Sequence, residues 1–303
     1  MAHYAPFARR LTVCTGRTVV LGCVAFVLSA FGAYAQDAGP RVLFLTKSSG
    51  FEHSVIRADD DGSSHAGRHM RTIVEERLNG SIVETKDASQ ISEAGLAQYD
   101  VVVFYTTGRL DQPGSDGMPP MPEDGLDTLL GWIEDGGGFI GFHSASDTFK
   151  HTPDYTESPY IQMLGGQFMA HGRQFEASIH VVDPEHPTMA AFEEGFTHLE
   201  EWYRFSHMNR DAIRVLALLE VGVERRRQRM YDVPDYPLIW CRSYGEGRVY
   251  YNALGHREDV WDNDMFQASV ADALLWAAGE GDANTEPNWD EVVPTEKPEE
   301  YRD

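Results

Sequence analysis

The sequence predicts an α/β fold, a three-layer αβα arrangement around an open, mainly parallel sheet with an added antiparallel hairpin. Three observations predict it. Short apolar runs alternate with amphipathic stretches in the order βαβαβαβ between residues 41 and 142, and that order calls for parallel strands joined by right-handed crossovers. The runs are apolar on both faces, as strands covered by helices on each side are. After His171 the texture changes to half-exposed strands, which end in a hairpin turning at Gly245-Glu246-Gly247.

Each element follows from local pattern. Residues 41–46 are too short an apolar run for a helix and end in Lys47-Ser48-Ser49-Gly50, which reads as a strand feeding a loop. Over 63–78, Met70, Ile73, Val74 and Leu78 share one helical face. Strands follow at 81–85 and 100–105, with a short helix around Leu96 between them. The loop 111–125, rich in proline, glycine and acid, leads into a helix through Leu126, Leu129, Leu130 and Ile133. Gly136, Gly137 and Gly138 stop that helix, and 139–142 form the fourth strand. Residues 175–182 and 212–221 read as further strands, 238–254 as the hairpin, and 265–278 as a closing helix that buries Phe266, Val270, Leu274 and Trp276. A short helix broken by Gly165 and Gly166 puts His171 in an irregular segment. The basic run 224–229 reads as a solvated loop.

Composition narrows the function classes. Arg9, Arg10 and Arg17 precede an apolar run at 19–31 that closes on Ala33-Tyr34-Ala35, the pattern of a signal peptide cleaved near Ala35. That run is shorter than the roughly 20 residues of a spanning helix. The expected product is exported, periplasmic or secreted, with no stable membrane insertion. Removing three arginines from 25 basic and 48 acidic side chains leaves 22 against 48, or −26. Such a surface repels nucleic acid and anionic lipid. Cys241 is then the one remaining thiol, so no internal disulfide is available. The organisation expected is a leader at 1–35, one domain at 40–278, and a tail at 279–303 whose nine acids keep it on the surface or disordered.

Four histidines, His53, His143, His171 and His256, follow the ends of elements, where parallel sheets collect ligands. His143 stands in Gly141-Phe142-His143-Ser144-Ala145, a strand-to-helix elbow that presents one side chain at the top of the sheet. A neutral imidazole there is a proton donor or acceptor, or a metal ligand. Asp147 would orient that imidazole, bind a sugar hydroxyl or cap the next helix. In His198-Leu-Glu-Glu-Trp-Tyr-Arg-Phe205 an extended chain would point Glu200, Trp202 and Arg204 one way and Glu201, Tyr203 and Phe205 the other. Which carboxylate faces inward depends on register. Aromatic faces beside imidazole and carboxylate suit the CH faces and hydroxyls of a sugar.

The pieces TKSSGFEHSVI, GGGFIGFHSASDTF, YIQMLGGQFMAHG, HLEEWYRF and GEGRVYYNALGH followed by Trp261 stand in this order over about 41–278. Together they resemble the ThuA-like (trehalose utilisation) family. The resemblance implies a class I glutamine amidotransferase-like, flavodoxin-like fold and a role in disaccharide or 3-keto sugar metabolism. It implies no amidotransferase activity here, because His143 replaces the elbow cysteine and Cys241 sits inside a strand.

The function expected is an exported enzyme acting on a sugar, disaccharide or 3-keto sugar by acid/base chemistry: a hydrolase, lyase or isomerase. His143 and Glu201 are the catalytic candidates. His53, Asp147, His171, Trp202, Tyr203 and His256 are candidates for binding substrate. A divalent ion, zinc, manganese or nickel, is a candidate cofactor for the same imidazole and carboxylate set, although these four histidines have no H-x-x-x-H spacing. A carbohydrate-binding protein without catalysis is the competing reading, and a scaffold that binds neither sugar nor metal is the third.

Overall fold

The computed structural model describes residues 39–114, 116–151, 158–192 and 195–302. The leader expected at 1–35 lies outside the described residues. The four apolar runs become β1 (Arg41–Leu45), β2 (Ser81–Thr85), β3 (Val101–Phe104) and β4 (Gly138–Phe142). Between them stand α1 (His65–Arg71), α2 (Glu93–Leu96) and α3 (Gly125–Glu134). The chain continues through α4 (Pro159–Leu164), β5 (Gln167–His171), β6 (Phe175–Val181), β7 (Phe196–Glu200), β8 (Tyr203–Ser206) and β9 (Arg214–Glu220). It then forms α5 (Glu224–Arg227), β10 (Tyr236–Tyr244), β11 (Gly247–Asn252), α6 (Glu258–Trp261), α7 (Asp264–Ala277) and α8 (Trp289–Val292).

The main sheet has nine strands in the order β2-β1-β3-β4-β11-β10-β9-β6-β7. From β2 to β11 neighbours run parallel, and from β11 to β7 they alternate in direction. The hairpin is therefore inserted: β11 pairs in parallel with β4, Tyr250 opposite Ile140, and β10 opens the antiparallel half. Val101, Val102, Val103 and Phe104 are wholly buried, as a central strand covered on both faces requires. β5 and β8 make a separate two-stranded sheet. His171 thus ends a strand; the irregular segment expected there is a paired one.

The amphipathic stretch after β1 is helical from His65, where the Ser64 side chain accepts from the Gly67 N–H. At Thr72–Arg77 the helix widens to π geometry, keeping Ile73 and Val74 buried. The basic run also departs from its solvated-loop reading. Arg225 is only 3% exposed, pairs with Asp235 and donates to the Val233 carbonyl. Residues 279–302 run along the surface. Asn288 anchors them by accepting from the Val215 N–H at 2.7 Å and donating to the Val215 carbonyl at 3.0 Å.

Candidate functional site

The parallel half of the sheet points the carboxyl ends of β1, β3, β4 and β11 in one direction, and each of these ends delivers a polar ring. The β1 loop brings His53; it is pinned where Thr107 Oγ1 accepts from Gly50 N–H at 3.3 Å and donates to the Phe51 carbonyl at 2.8 Å. The end of β3 brings Tyr105, whose hydroxyl donates to the Gly255 carbonyl at 3.1 Å. β4 exits into the elbow, and His143 takes φ 41° there. A histidine in the left-handed region costs on the order of 1–3 kcal/mol, strain that fold-enforced functional positions carry. β11 leads through Ala253-Leu254-Gly255 to His256.

Glu201 enters from the other half of the molecule. The extended reading of 198–205 fails there, because β7 leaves the main sheet at Glu200 and β8 begins the small sheet at Tyr203. Side-chain alternation restarts across that break, so both carboxylates are buried, Glu200 at 0% and Glu201 at 8%. Glu201 faces the histidines. Glu200 accepts from the Glu201 N–H at 2.7 Å and from the Gly255 N–H at 3.2 Å, tying together the two segments that carry Glu201 and His256.

Around Glu201 the distances are short. Its Oε2 lies 3.6 Å from His143 Nε2 and 3.2 Å from His256 Nδ1, while Oε1 lies 3.1 Å from His171 Nδ1. His143 Nε2 and His256 Nδ1 are 3.3 Å apart. His53 stands edge-on to both, ring centroids 5.0 and 5.3 Å away. Tyr203 covers the His143 ring at 3.9 Å, and its hydroxyl is 3.4 Å from His53 Nε2. His53, His143, Glu201 and His256 each offer one ligand atom, and these four atoms lie within 4.8 Å of one another. Access is narrow: the His143 side chain is fully enclosed, and the side chains of Glu201, His256 and His171 are 11%, 21% and 42% exposed.

Protonation follows from these contacts. A carbonyl oxygen only accepts, so the 2.8 Å contact between His143 Nδ1 and the Ala253 carbonyl places the proton on Nδ1. The neutral ring then turns a lone pair at Nε2 toward Glu201. Burial pushes His143 down and keeps it neutral, and burial, with the neighbouring imidazoles, pushes His53 down to about 2. For Glu201 burial acts upward, but the hydrogen bond and charge of His256 outweigh it and hold the carboxyl well below its usual range. Burial alone would lower His256; its hydrogen bond to Glu201 raises it. Glu200, enclosed without a cation in contact, is pushed up to about 7 by burial.

Of the eight residues singled out from sequence, six converge: His53, His143, His171, Glu201, Tyr203 and His256. Two do not. Trp202 is 1% exposed, packs against Phe175 and donates its indole N–H to the Phe175 carbonyl. Asp147 pairs with Lys150 at 2.5 Å, and the Ala253 carbonyl, not Asp147, orients the His143 ring. Tyr105 is absent from the residues singled out from sequence, and Glu200, the alternative inward carboxylate, is buried as well as Glu201. Tyr105 had a signal, since it ends a predicted parallel strand as His143 does. The H-x-x-x-H pair His65 and His69 also went unremarked; with Asp262 it forms a second histidine and carboxylate group.

The family profile described as ThuA, trehalose utilisation, matches residues 41–277. A ThuA-like protein from Bacteroides uniformis superposes with a TM-score of 0.62 at 19% identity, covering 84% of this chain and 97% of its own. One from Parabacteroides merdae gives 0.58 at 18% identity over 88% and 99%. A cytoplasmic protein of Salmonella typhimurium gives 0.52 at 14% identity over 78% and 98%. At these identities the likeness is one of fold. No curated protein matches the chain. With most of its length matched by the profile, the chain belongs to the ThuA (trehalose utilisation) family.

Proposed function

We propose that this chain is an enzyme of carbohydrate metabolism that transfers a proton on a sugar, disaccharide or 3-keto sugar, with His143 as the base. The observation that carries the reading is the wiring of His143: Nδ1 is locked onto a carbonyl and a free lone pair at Nε2 faces Glu201 and His256. In this scheme, on a 3-keto or other carbonyl form of the sugar, Nε2 takes the proton from the carbon beside the carbonyl, the C–H electron pair becomes the C=C bond of an enolate, and the carbonyl π pair moves onto its oxygen. His256, its proton favoured by Glu201, is placed to return a proton to oxygen. Glu201 stays ionised and compensates the charge that appears on the imidazoles.

The sugar assignment draws support from three places. The family description names trehalose utilisation. Phe51, 67% exposed, stands edge-on to His53 at 5.0 Å, an apolar ring at the rim of a polar site. Tyr203 supplies a hydroxyl that burial keeps in the neutral, donating form. Export to the periplasm or medium belongs to the same proposal and rests on the leader pattern at 1–35.

A panel of glycosides and their 3-keto forms tests the enzyme. Turnover by the wild type, with kcat/KM reduced about 100- to 10,000-fold in His143→Ala and in Glu201→Gln, is expected. Saturable binding of these sugars without turnover of any would replace the enzyme with the binding-protein reading.

A further inference from the structure

We propose that His143, His256, Glu201 and His53 form a binding site for one divalent transition ion of the zinc kind. Ligands about 2.0–2.1 Å from a tetrahedral zinc ion stand about 3.3–3.4 Å from each other. The three separations among His143 Nε2, His256 Nδ1 and Glu201 Oε2 are 3.3, 3.2 and 3.6 Å. The fourth residue, His53, also brings a ligand atom within 4.8 Å of all the others.

The hydrogen-bond inventory points the same way. His143 Nε2 and Glu201 Oε2 both carry lone pairs, and they face each other across 3.6 Å with no hydrogen of their own to share. Two facing acceptors are stabilised by a cation between them. A backbone carbonyl on the far nitrogen is how proteins orient a metal-binding imidazole. Glu201 is held from behind in the same manner, its Oε1 beside His171 Nδ1 at 3.1 Å and its N–H on Glu200. The His53 Nδ1 atom is buried and has no hydrogen-bond partner, a position that needs an explanation. Three imidazoles and one carboxylate suit zinc, nickel or manganese. An ion held here would take the His143 Nε2 lone pair and displace the His256 Nδ1 proton, so in the metal-bound chain the ion, by polarising a carbonyl oxygen or lowering the pKa of a bound water toward about 7, would stand in for those two imidazoles in the proton transfer.

The His65, His69 and Asp262 group lacks this wiring. Gln267 Nε2 lies 3.1 Å from His69 Nδ1, while its Oε1 accepts from Arg77 and the same Nε2 donates to the Trp261 carbonyl at 2.8 Å. The amide nitrogen therefore donates to His69 Nδ1, and His69 Nε2 must carry the proton it gives Asp262 at 2.9 Å. A metal would have to displace that proton and break the amide network.

The test is zinc content and zinc affinity of the full chain purified without chelator or histidine tag. About one equivalent per chain is expected, with Co2+ substitution giving the intense visible bands of a tetrahedral site. His143→Ala and the milder His256→Gln should each weaken zinc at least ~100-fold, and Asp262→Asn should leave it unchanged. If His143→Ala fails to fold, His256→Gln decides alone. A wild-type chain that neither retains zinc nor gains thermal stability on adding Zn2+, Mn2+ or Ni2+ overturns the proposal. Binding lost in Asp262→Asn but kept in His256→Gln overturns it equally. Neither result depends on turnover, so failure of the sugar reading stays separable.

Discussion

The two histidine and carboxylate clusters use the same residue types and do opposite things with them. In the His65, His69 and Asp262 group both imidazoles donate to Asp262 Oδ1, at 3.0 and 2.9 Å, and the Gln267 amide fixes the tautomer of His69. Asp262 Oδ1 and His69 Nδ1 thus each meet a hydrogen. In the His53, His143, Glu201 and His256 group a carbonyl occupies the N–H of His143, so His143 Nε2 and Glu201 Oε2 face each other as two acceptors, with His256 Nδ1 within reach of both. Residue identity and proximity therefore do not distinguish a closed hydrogen-bonded clamp from a cluster whose acceptors are left facing one another. The partner on the far ring nitrogen does.

Removing the support behind Glu201 breaks the comparison most severely. Glu200→Ala leaves the buried N–H groups of Glu201 and Gly255 without acceptors. At about 1–3 kcal/mol per orphaned donor, a stability loss of about 2–6 kcal/mol is expected in denaturant unfolding. Zinc affinity should fall by about 10- to 100-fold, as for other residues that position ligands. Unchanged stability would mean that Glu200 is not the clamp.

A third buried histidine sharpens what burial does by itself. His186 contacts Thr188 Oγ1 at 2.9 Å and Cys241 Sγ at 3.4 Å, and burial pushes it down to about 4. Between its ordinary 6.5 and about 4 the folded chain binds fewer protons here than the unfolded chain does. The stability this site contributes is thus complete above pH 6.5 and is lost as pH falls toward 4, about 2 kcal/mol of it by pH 5. The His186→Gln chain should show a flatter stability profile across that window, and an identical profile would refute the assignment. The smallest effect belongs to the clamp. Asp262→Asn, at a carboxylate whose side chain is 57% exposed, should cost less than about 1 kcal/mol and leave turnover of any substrate as it was.

Much of this was legible in the chain. Strands read as parallel from their two apolar faces, and histidines at their carboxyl ends, arrived at one place because the fold class dictates where such ends meet. His143 was legible as an elbow residue, and φ 41° is the strain such a turn imposes. Glu201 was only half legible: period-two alternation assumes one continuous strand, and the chain changes sheets between Glu200 and Tyr203. Trp202 was misplaced for the same reason. Orienting His143 is one of three roles open to Asp147 from its nearness in sequence, whereas the ring's partner, the Ala253 carbonyl, lies 110 residues away and carries no side-chain signature.

The insertion of β11 between β4 and β10 bears on how the protein is made. Synthesis completes β4, the inner edge of the parallel half, about a hundred residues before its neighbour β11 leaves the ribosome. Until then β4 presents an unpaired apolar edge, a hazard for wrong pairing. His256 cannot reach His143 before that gap closes. A nascent or truncated chain lacking β11 therefore carries His53, His143 and Glu201 without His256 beside them.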